Sequence, residues 1–307
     1  MPVVLLVDRS DFGHHGLIKA MLLARHLQAP LELYLCELSP SLQSRNRQGQ
    51  SSQSGQLRAE AQAYLQALRQ NIVSTDVEIR CASQVAASWA DGLEQRLQRA
   101  AVLLVTAPVG AQIVADPRIA VDWSLLRACS APLLLTRKRP WKAVPRFAAA
   151  IDLGAGADEE LGAQLIGLAE QLTRRCSAHL EYLYAAPDAG EDSPAEQAWR
   201  RLTQLAGSTQ ASPGSRAWLH YLQGQPREVL PRLVGERGYD LLVMGCPRPQ
   251  GGALAGFIDD DAPQPPALGR RYGHRAAVLE NAERTAARLL RAADGDLLVL
   301  PACSGVQ

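Results

Sequence analysis

Two aspartates, Asp8 and Asp152, stand where a ligand could bind, because each follows directly on a run of apolar residues. A carboxylate at the end of a buried strand can accept hydrogen bonds from a base or a ribose hydroxyl, since ligands of open α/β sheets bind outside the carboxyl ends of the strands. For Asp8 the residues leave a second reading open. Ser10 and Asp11 follow closely, and they are typical of a turn or a helix cap.

Three glycines in the second half of the chain are candidates for a phosphate-binding loop. Gly245 closes an apolar strand, and Gly251 and Gly252 follow it. Glycine allows backbone amides to turn toward an anion. The pair Gly251 and Gly252 is also typical of a flexible spacer. The candidate ligand-binding residues are therefore Asp8, Asp152, Gly245, Gly251 and Gly252.

Motifs for catalysis or metal binding are absent from the sequence. It lacks the Gly-x-Ser-x-Gly turn of many hydrolases and the Gly-x4-Gly-Lys-Ser/Thr loop of P-loop enzymes. His14 and His15 are adjacent, so on a helix they point in different directions and suit one metal ion poorly. The six cysteines lie singly and predict buried free thiols rather than zinc ligands or disulfides. We expect no catalytic residue and no metal, and only a weak ATPase activity stays open.

The elements that would hold these residues occur twice, at a shift of roughly 140 residues. Leu31–Leu35 is echoed by Leu180–Tyr184, and Ala101–Val105 is echoed by Asp240–Met244. Short apolar strands alternate with helix-period stretches in both copies. This alternation predicts a parallel sheet with helices on both faces.

The repeat and the length of 307 residues predict two domains. We place the first domain at residues 1–138, a linker at 139–146 and the second domain at 147–307. The second domain carries an insertion near 249–277, rich in Gly and Pro, which we expect to be a lid or a disordered loop. The basic residues from Arg137 to Lys142 are expected to be solvated.

Composition argues against several kinds of partner. The 32 basic and 31 acidic residues give a net charge of +1, which provides no field to attract nucleic acid or an anionic membrane. The longest apolar stretch, near residues 100–111, is too short to span a bilayer, and the amino terminus lacks the pattern of a signal peptide. We expect a cytoplasmic protein.

Several segments resemble the universal stress proteins. They are Val7–Ser10, the strand Leu241–Gly245, and Leu125–Leu135, which closes the first half. In addition, Asp122–Pro132 followed by Pro140-Trp141 is similar to the tandem-domain E group of bacterial universal stress proteins. The resemblance covers nearly the whole chain. It implies two tandem doubly wound, Rossmann-like domains, each with a five-stranded parallel sheet of order 3-2-1-4-5, facing each other as a built-in dimer.

Many members of that family bind ATP through an Asp that ends strand one and a Gly-x2-Gly-x9-Gly-Ser/Thr loop, and this chain departs from the loop in both halves. In the first half Thr106–Gly110 stands where the loop should begin, and Pro108 lacks an amide donor. In the second half Gly245 matches the first glycine, but Arg248 replaces the second. Glu280 stands where the final pair should open a helix, and its charge would repel a phosphate.

These departures favour a non-catalytic stress-response protein that holds a small molecule in an inter-domain or strand-end cleft, with no cofactor. The alternative is a switch that binds ATP or AMP, or a slow ATPase, using the second domain alone. An enzyme of the wider adenine-nucleotide α-hydrolase group would need a general base and a metal site that the sequence does not offer. Internal pairing of the two domains predicts a monomer with pseudo-two-fold symmetry.

Overall fold

The computed structural model describes most of two α/β halves. The described residues are 1–11, 14–38, 50–72, 76–86, 92–93, 96, 100–106, 131–153, 158–186, 194–206, 218–246, 285, 288–289, 292 and 294–301. The insertion near 249–277, including Gly251 and Gly252, lies outside the described residues.

The described elements are ten strands and five helices. The strands are β1 (Val3–Leu6), β2 (Leu31–Leu38), β3 (Ile79–Ala86), β4 (Val102–Thr106), β5 (Leu133–Thr136), β6 (Arg146–Ala150), β7 (His179–Ala186), β8 (Trp218–Gln223), β9 (Leu241–Cys246) and β10 (Asp296–Pro301). The helices are α1 (His15–Leu27), α2 (Gln50–Gln70), α3 (Glu159–Cys176), α4 (Pro194–Ala206) and α5 (Pro226–Arg237). None of these helices is both long and apolar enough to cross a membrane.

All ten strands form one sheet in the order β3-β2-β1-β4-β5-β10-β9-β6-β7-β8. The strand pairs within each half are parallel, and each half has the order 3-2-1-4-5, which confirms the predicted fold class. The halves meet at their sheet edges, where β5 and β10 pair antiparallel with Leu134 opposite Leu298. These two leucines are equivalent in the repeat, so their pairing is the one that a two-fold relation between the halves produces.

The sheet is covered on both faces because its strands are apolar on both sides. Side chains alternate along β1, so Val3 and Leu5 join the core beneath α1 to α4, whereas Val4 and Leu6 join the core beneath α5. The carboxyl ends of the strands of each half lie at one edge of this layer. That edge is where a ligand site is expected.

Helix α3 begins where the sequence provides a cap. Asp158 Oδ1 accepts a hydrogen bond from Leu161 N at 3.0 Å, and Glu159 and Glu160 occupy the first turn. Acidic residues at this end suit the helix dipole. The start of α3 is therefore fixed beside the end of β6.

The connection between the halves, residues 137–146, is held by two buried aspartates. Asp296 accepts hydrogen bonds from Arg137 N at 2.6 Å and from Trp141 Nε1 at 2.7 Å. Asp240 accepts from Lys142 N at 3.2 Å and from Arg146 N at 2.9 Å. The segment between the halves is consequently tied to β10 and to the start of β9.

The prediction that the basic residues of this segment are solvated is wrong for Arg137, which is only 5% exposed. Its backbone is drawn inward by the Asp296 carboxylate, which also binds Lys19 Nζ at 2.8 Å. Lys19 donates a further hydrogen bond to Arg137 O at 2.9 Å. This buried polar cluster joins α1, the linker and β10.

Two expectations about side-chain chemistry can be compared with the described residues. The described cysteines, Cys36, Cys81, Cys176 and Cys246, carry free thiols, and the first and last of them are buried. Within the described ranges no group of three or more His, Cys, Asp or Glu side chains is arranged to hold a metal ion.

Candidate functional site

A cleft of about 260 Å³ opens at the carboxyl end of β6, in the second half of the chain. Its walls come from the residues that follow β6, from the first turns of α3 and from α4. The side chains that give it its chemistry are Asp152, Leu153, Asp158, Glu159, Arg201, Gln204 and Leu205. Asp152, a candidate from the sequence, therefore lies at a cleft.

Backbone pairing explains why Asp152 reaches this position. Ile151 N donates to Leu183 O at 2.9 Å, which continues the pairing of β6 with β7 beyond the end of β6. The chain is thus held against the sheet up to the residue before Asp152. The carboxylate, which is exposed, begins where the sheet ends.

Arg201 of α4 fixes the wall opposite the strand end. Its Nη1 donates to Leu153 O at 2.7 Å, and its Nη2 donates to Glu159 Oε1 at 3.3 Å. One guanidinium thus links α4 to the turn after β6 and to the first turn of α3. The planar group can make both contacts without moving, because its donors have a fixed fork geometry.

The cleft is acidic. Asp152, Asp158 and Glu159 provide three carboxylates against the single guanidinium of Arg201, so the formal charge of its lining is −2. The Asp152 carboxylate also acts on Tyr184 of β7. Burial is the larger cause that raises the pKa of Tyr184 above its ordinary value, and the negative charge of Asp152 raises it further. A ligand with positive charge or with hydroxyl donors suits such a lining better than a phosphate does.

Asp8, the equivalent residue in the first half, is used in a turn. Its Oδ1 accepts hydrogen bonds from Ser10 N at 2.8 Å and from Ser10 Oγ at 2.7 Å. Its Oδ2 lies 3.1 Å from Lys138 Nζ. Burial raises the pKa of Asp8. The hydrogen bonds from Ser10 and the charge of Lys138 outweigh burial and hold this pKa below its ordinary value. Asp8 thus has the turn role that the sequence left open.

The strand ends of the two halves differ in the space that they offer. The described residues around Asp8 leave a cavity of about 10 Å³, lined also by Asp11, His14 and Tyr64. This volume is near the lower limit for one water molecule. The cleft at Asp152 is larger by more than an order of magnitude, so the two halves are unequal at equivalent positions.

Gly245 lies inside β9 and faces helix α3. A Cβ atom on it would lie 2.9 Å from Leu161 Cδ2 and 3.5 Å from Leu165 Cδ1. The absence of a side chain therefore explains how closely α3 packs on the sheet. Of the remaining candidates, Gly251 and Gly252 lie outside the described residues.

A second polar cluster surrounds Glu181, near the amino ends of β6 to β9. Arg146 Nη2 donates to Glu181 Oε1 at 2.7 Å, and Tyr239 OH donates to Oε2 at 2.6 Å. His220 Nε2 lies 2.9 Å from the same Oε2. The equivalent Glu32 of the first half binds Arg96 Nε at 3.0 Å, so both copies have a partly buried, paired glutamate at this position. The cluster lies away from the strand-end cleft and stabilises the sheet.

Glu181→Gln should lower the free energy of unfolding near neutral pH by about 1–3 kcal/mol, because Arg146 would lose its charged partner. Burial raises the pKa of Glu181, but the hydrogen bonds from Arg146 and Tyr239 hold it below the ordinary value. The stabilisation by Glu181 is therefore fully present above its pKa in the unfolded chain, about 4.3. It is lost as the pH falls through the lower pKa that Glu181 has in the folded protein. Urea unfolding across acidic pH should show the difference between the two proteins shrinking.

The matched control is Glu196→Gln, since Glu196 pairs with Arg200 on an exposed part of α4. This change should alter stability by no more than about 0.5 kcal/mol. Equal effects of the two substitutions would contradict the stabilising role given to Glu181.

Sequence reasoning missed the residues that make the strand ends unequal. Arg201 and Glu159 carry no motif, and Lys138 was counted with a solvated basic cluster. Each of these residues pairs with one that is distant in the chain: Lys138 with Asp8, and Arg201 with Glu159. The available signal was Asp158 followed by two glutamates, which marks a helix start beside a strand-end aspartate.

Solved structures of similar fold include universal stress proteins and a protein of unknown function. A protein from Pseudomonas aeruginosa UCBPP-PA14 assigned to the universal stress proteins has a TM-score of 0.61 at 20% identity, over 98% of this chain and 92% of its own. A universal stress protein from Archaeoglobus fulgidus DSM 4304 has a TM-score of 0.65 at 11% identity, over 99% and 97%. A functionally unknown protein from Pseudomonas aeruginosa PAO1 has a TM-score of 0.60 at 20% identity, over 98% and 91%.

At these identities the similarity establishes the fold, and function has to be argued from the site. No protein-family model matches the chain, and no curated protein matches it in sequence. The similarity to solved structures shows that the chain has the fold of universal stress proteins along nearly its whole length.

Proposed function

We propose that this chain is a non-catalytic universal stress protein of the tandem E type that acts in the cytoplasm and binds a small molecule at the strand end of its second half. One observation carries the proposal. The strand end at Asp152 opens into a cleft of about 260 Å³, whereas the described residues at the equivalent end around Asp8 leave a cavity of only about 10 Å³. The first half then serves as the partner that pairs with the second through β5 and β10, and the whole chain acts as a monomer.

The size of the cleft limits the ligand. Pockets that enclose drug-sized molecules have volumes of roughly 300–1,000 Å³. A cleft of about 260 Å³ suits a smaller molecule, which Leu153 and Leu205 would contact on its apolar side. An amphipathic amine or a small polyol fits this description.

The charge of the cleft argues against a nucleoside triphosphate. Amides at the start of a helix can bind phosphate, but at the start of α3 the carboxylate of Asp158 already accepts from Leu161 N. Glu159 and Asp152 add negative charge on either side. Phosphates would enter against this field, whereas a cation would be attracted.

The nucleotide alternative draws its support from Asp152 alone. A carboxylate at the end of the first strand of a half can accept hydrogen bonds from a ribose hydroxyl, and this is the chemistry that a switch binding ATP or AMP would use. The switch and the slow ATPase would both use Gly245, Gly251 and Gly252 together with Asp152.

Mass spectrometry of small molecules released from the purified protein tests the proposal. We expect the wild type to release a small polar or cationic molecule that Asp152→Ala releases at least tenfold less, because the carboxylate is its main polar anchor. Asp8→Ala is the matched control, and it should retain the wild-type amount. Equal release from all three proteins, or loss only in Asp8→Ala, would contradict the proposed site.

A further inference from the structure

The connection formed by residues 137–146 contacts the strand end of the first half through Lys138. Asp296 holds the backbone of Arg137 at 2.6 Å, and Asp240 holds that of Arg146 at 2.9 Å. Both carboxylates are 1% exposed and belong to the second half. Lys138, which follows directly on Arg137, therefore has a fixed backbone from which to extend.

The ammonium group of Lys138 binds the turn at Asp8 as a ligand would. Its Nζ lies 3.1 Å from Asp8 Oδ2, 2.7 Å from Ser10 Oγ and 3.2 Å from Ser10 O. An ammonium group has three N–H donors and no acceptor. All of them thus have an oxygen partner within one turn of the first half.

A second observation marks this place as a site. Asp11 lines, together with Asp8, the small cavity beside the Lys138 contact and is only 7% exposed. Its Oδ2 accepts from Gly16 N at 2.9 Å, but its Oδ1 is buried without a hydrogen-bond partner among the described residues. A buried carboxylate oxygen without a donor is costly, and a donor that entered the cavity would relieve that cost.

We propose that the strand end of the first half is a latent binding site for a primary alkylammonium group and that Lys138 is its tethered occupant. The tether keeps the effective concentration of this ammonium high, so a free amine competes poorly in the intact protein. The site is thus kept closed by a contact within the chain. This inference does not depend on the cleft at Asp152.

Chemical rescue tests the proposal. Lys138→Ala removes the tethered ammonium and leaves the turn at Asp8 in place. We expect n-propylammonium chloride to raise the melting temperature of this variant by about 1–2 °C more than sodium chloride of equal ionic strength does, because the pair is partly exposed and contributes modestly. The wild type should show no such difference between the two salts.

The control variant is Lys142→Ala. Lys142 lies in the same connection between the halves, but its Nζ is 3.9 Å from Asp240 Oδ2 and does not contact the turn at Asp8. It should not respond to the amine, and Asp8→Asn combined with Lys138→Ala should abolish the response. Asp152→Ala combined with Lys138→Ala should keep it, which separates this site from the cleft of the second half. An equal response of Lys138→Ala to both salts, or a response that persists without the Asp8 carboxylate, would overturn the proposal.

Discussion

Asp296→Ala should lower the free energy of unfolding by about 3–5 kcal/mol. The carboxylate binds Lys19 Nζ at 2.8 Å and accepts hydrogen bonds from Arg137 N and Trp141 Nε1. The side chains of Asp296 and Lys19 are almost completely buried. Removal of the carboxylate leaves the buried Lys19 ammonium without its charged partner, with only Arg137 O as an acceptor among the described residues, and leaves two N–H donors without theirs. Equilibrium unfolding in urea measures the loss.

The double variant Lys19→Met with Asp296→Asn should be less destabilised than Asp296→Ala. Burial raises the pKa of Asp296 and lowers that of Lys19, so desolvation opposes both charges even though they attract each other. Removing both charges removes that cost, and the Asn side chain can still accept a hydrogen bond. Asp294→Ala is the single-site control, because Asp294 is exposed and lies 3.9 Å from Arg139. If Asp296→Ala lowered the free energy of unfolding no more than Asp294→Ala does, the buried polar cluster around Asp296 would not stabilise the fold.

Gly295→Ala should destabilise the protein by about 3 kcal/mol, the upper end of what overpacking usually costs. A Cβ atom at this position would lie 2.1 Å from Tyr239 O and 3.0 Å from Asp240 O. Both are backbone atoms, and Asp240 O accepts from Asp296 N at 2.9 Å, so they cannot move away without breaking the start of the β9 and β10 pair. Urea unfolding of the variant, or its failure to accumulate as folded protein, gives the measurement.

Gly167→Ala is the matched control for this substitution. Gly167 lies within α3, and a Cβ atom there would meet nothing within 4 Å. Alanine at an open helix position should stabilise the protein by up to about 1 kcal/mol. If Gly295→Ala were as well tolerated as Gly167→Ala, the backbone at Gly295 would not approach Tyr239 and Asp240 as closely as described.

The sequence predicted the sheet of each half well because the relevant signals are local. Short apolar strands repeat in the same order, and Asp8 and Asp152 follow two residues after the first strand of each copy. The same signals do not show what each aspartate meets. Lys138 reaches Asp8, and the wall beside Asp152 comes from Arg201, and both depend on contacts between residues far apart in the chain.

Two further residues show why periodicity and motif matching were insufficient. Arg137 has the charge of a surface residue, and only the position of Asp296 in the folded chain explains its burial. Gly245 matches the first glycine of a phosphate loop, yet its place in β9 against Leu161 accounts for it by packing. The role of a glycine or a charge is decided here by tertiary neighbours that no short segment contains.

Calorimetric titration of the purified protein with Mg-ATP tests the central claim most directly. The claim is that the open strand end at Asp152 receives a small polar or cationic molecule rather than a phosphate. We expect binding no tighter than the millimolar range, because the carboxylates of Asp152, Asp158 and Glu159 line the cleft and repel phosphates. Micromolar binding that disappears in Asp152→Ala would contradict the account and would make the protein a nucleotide-binding switch.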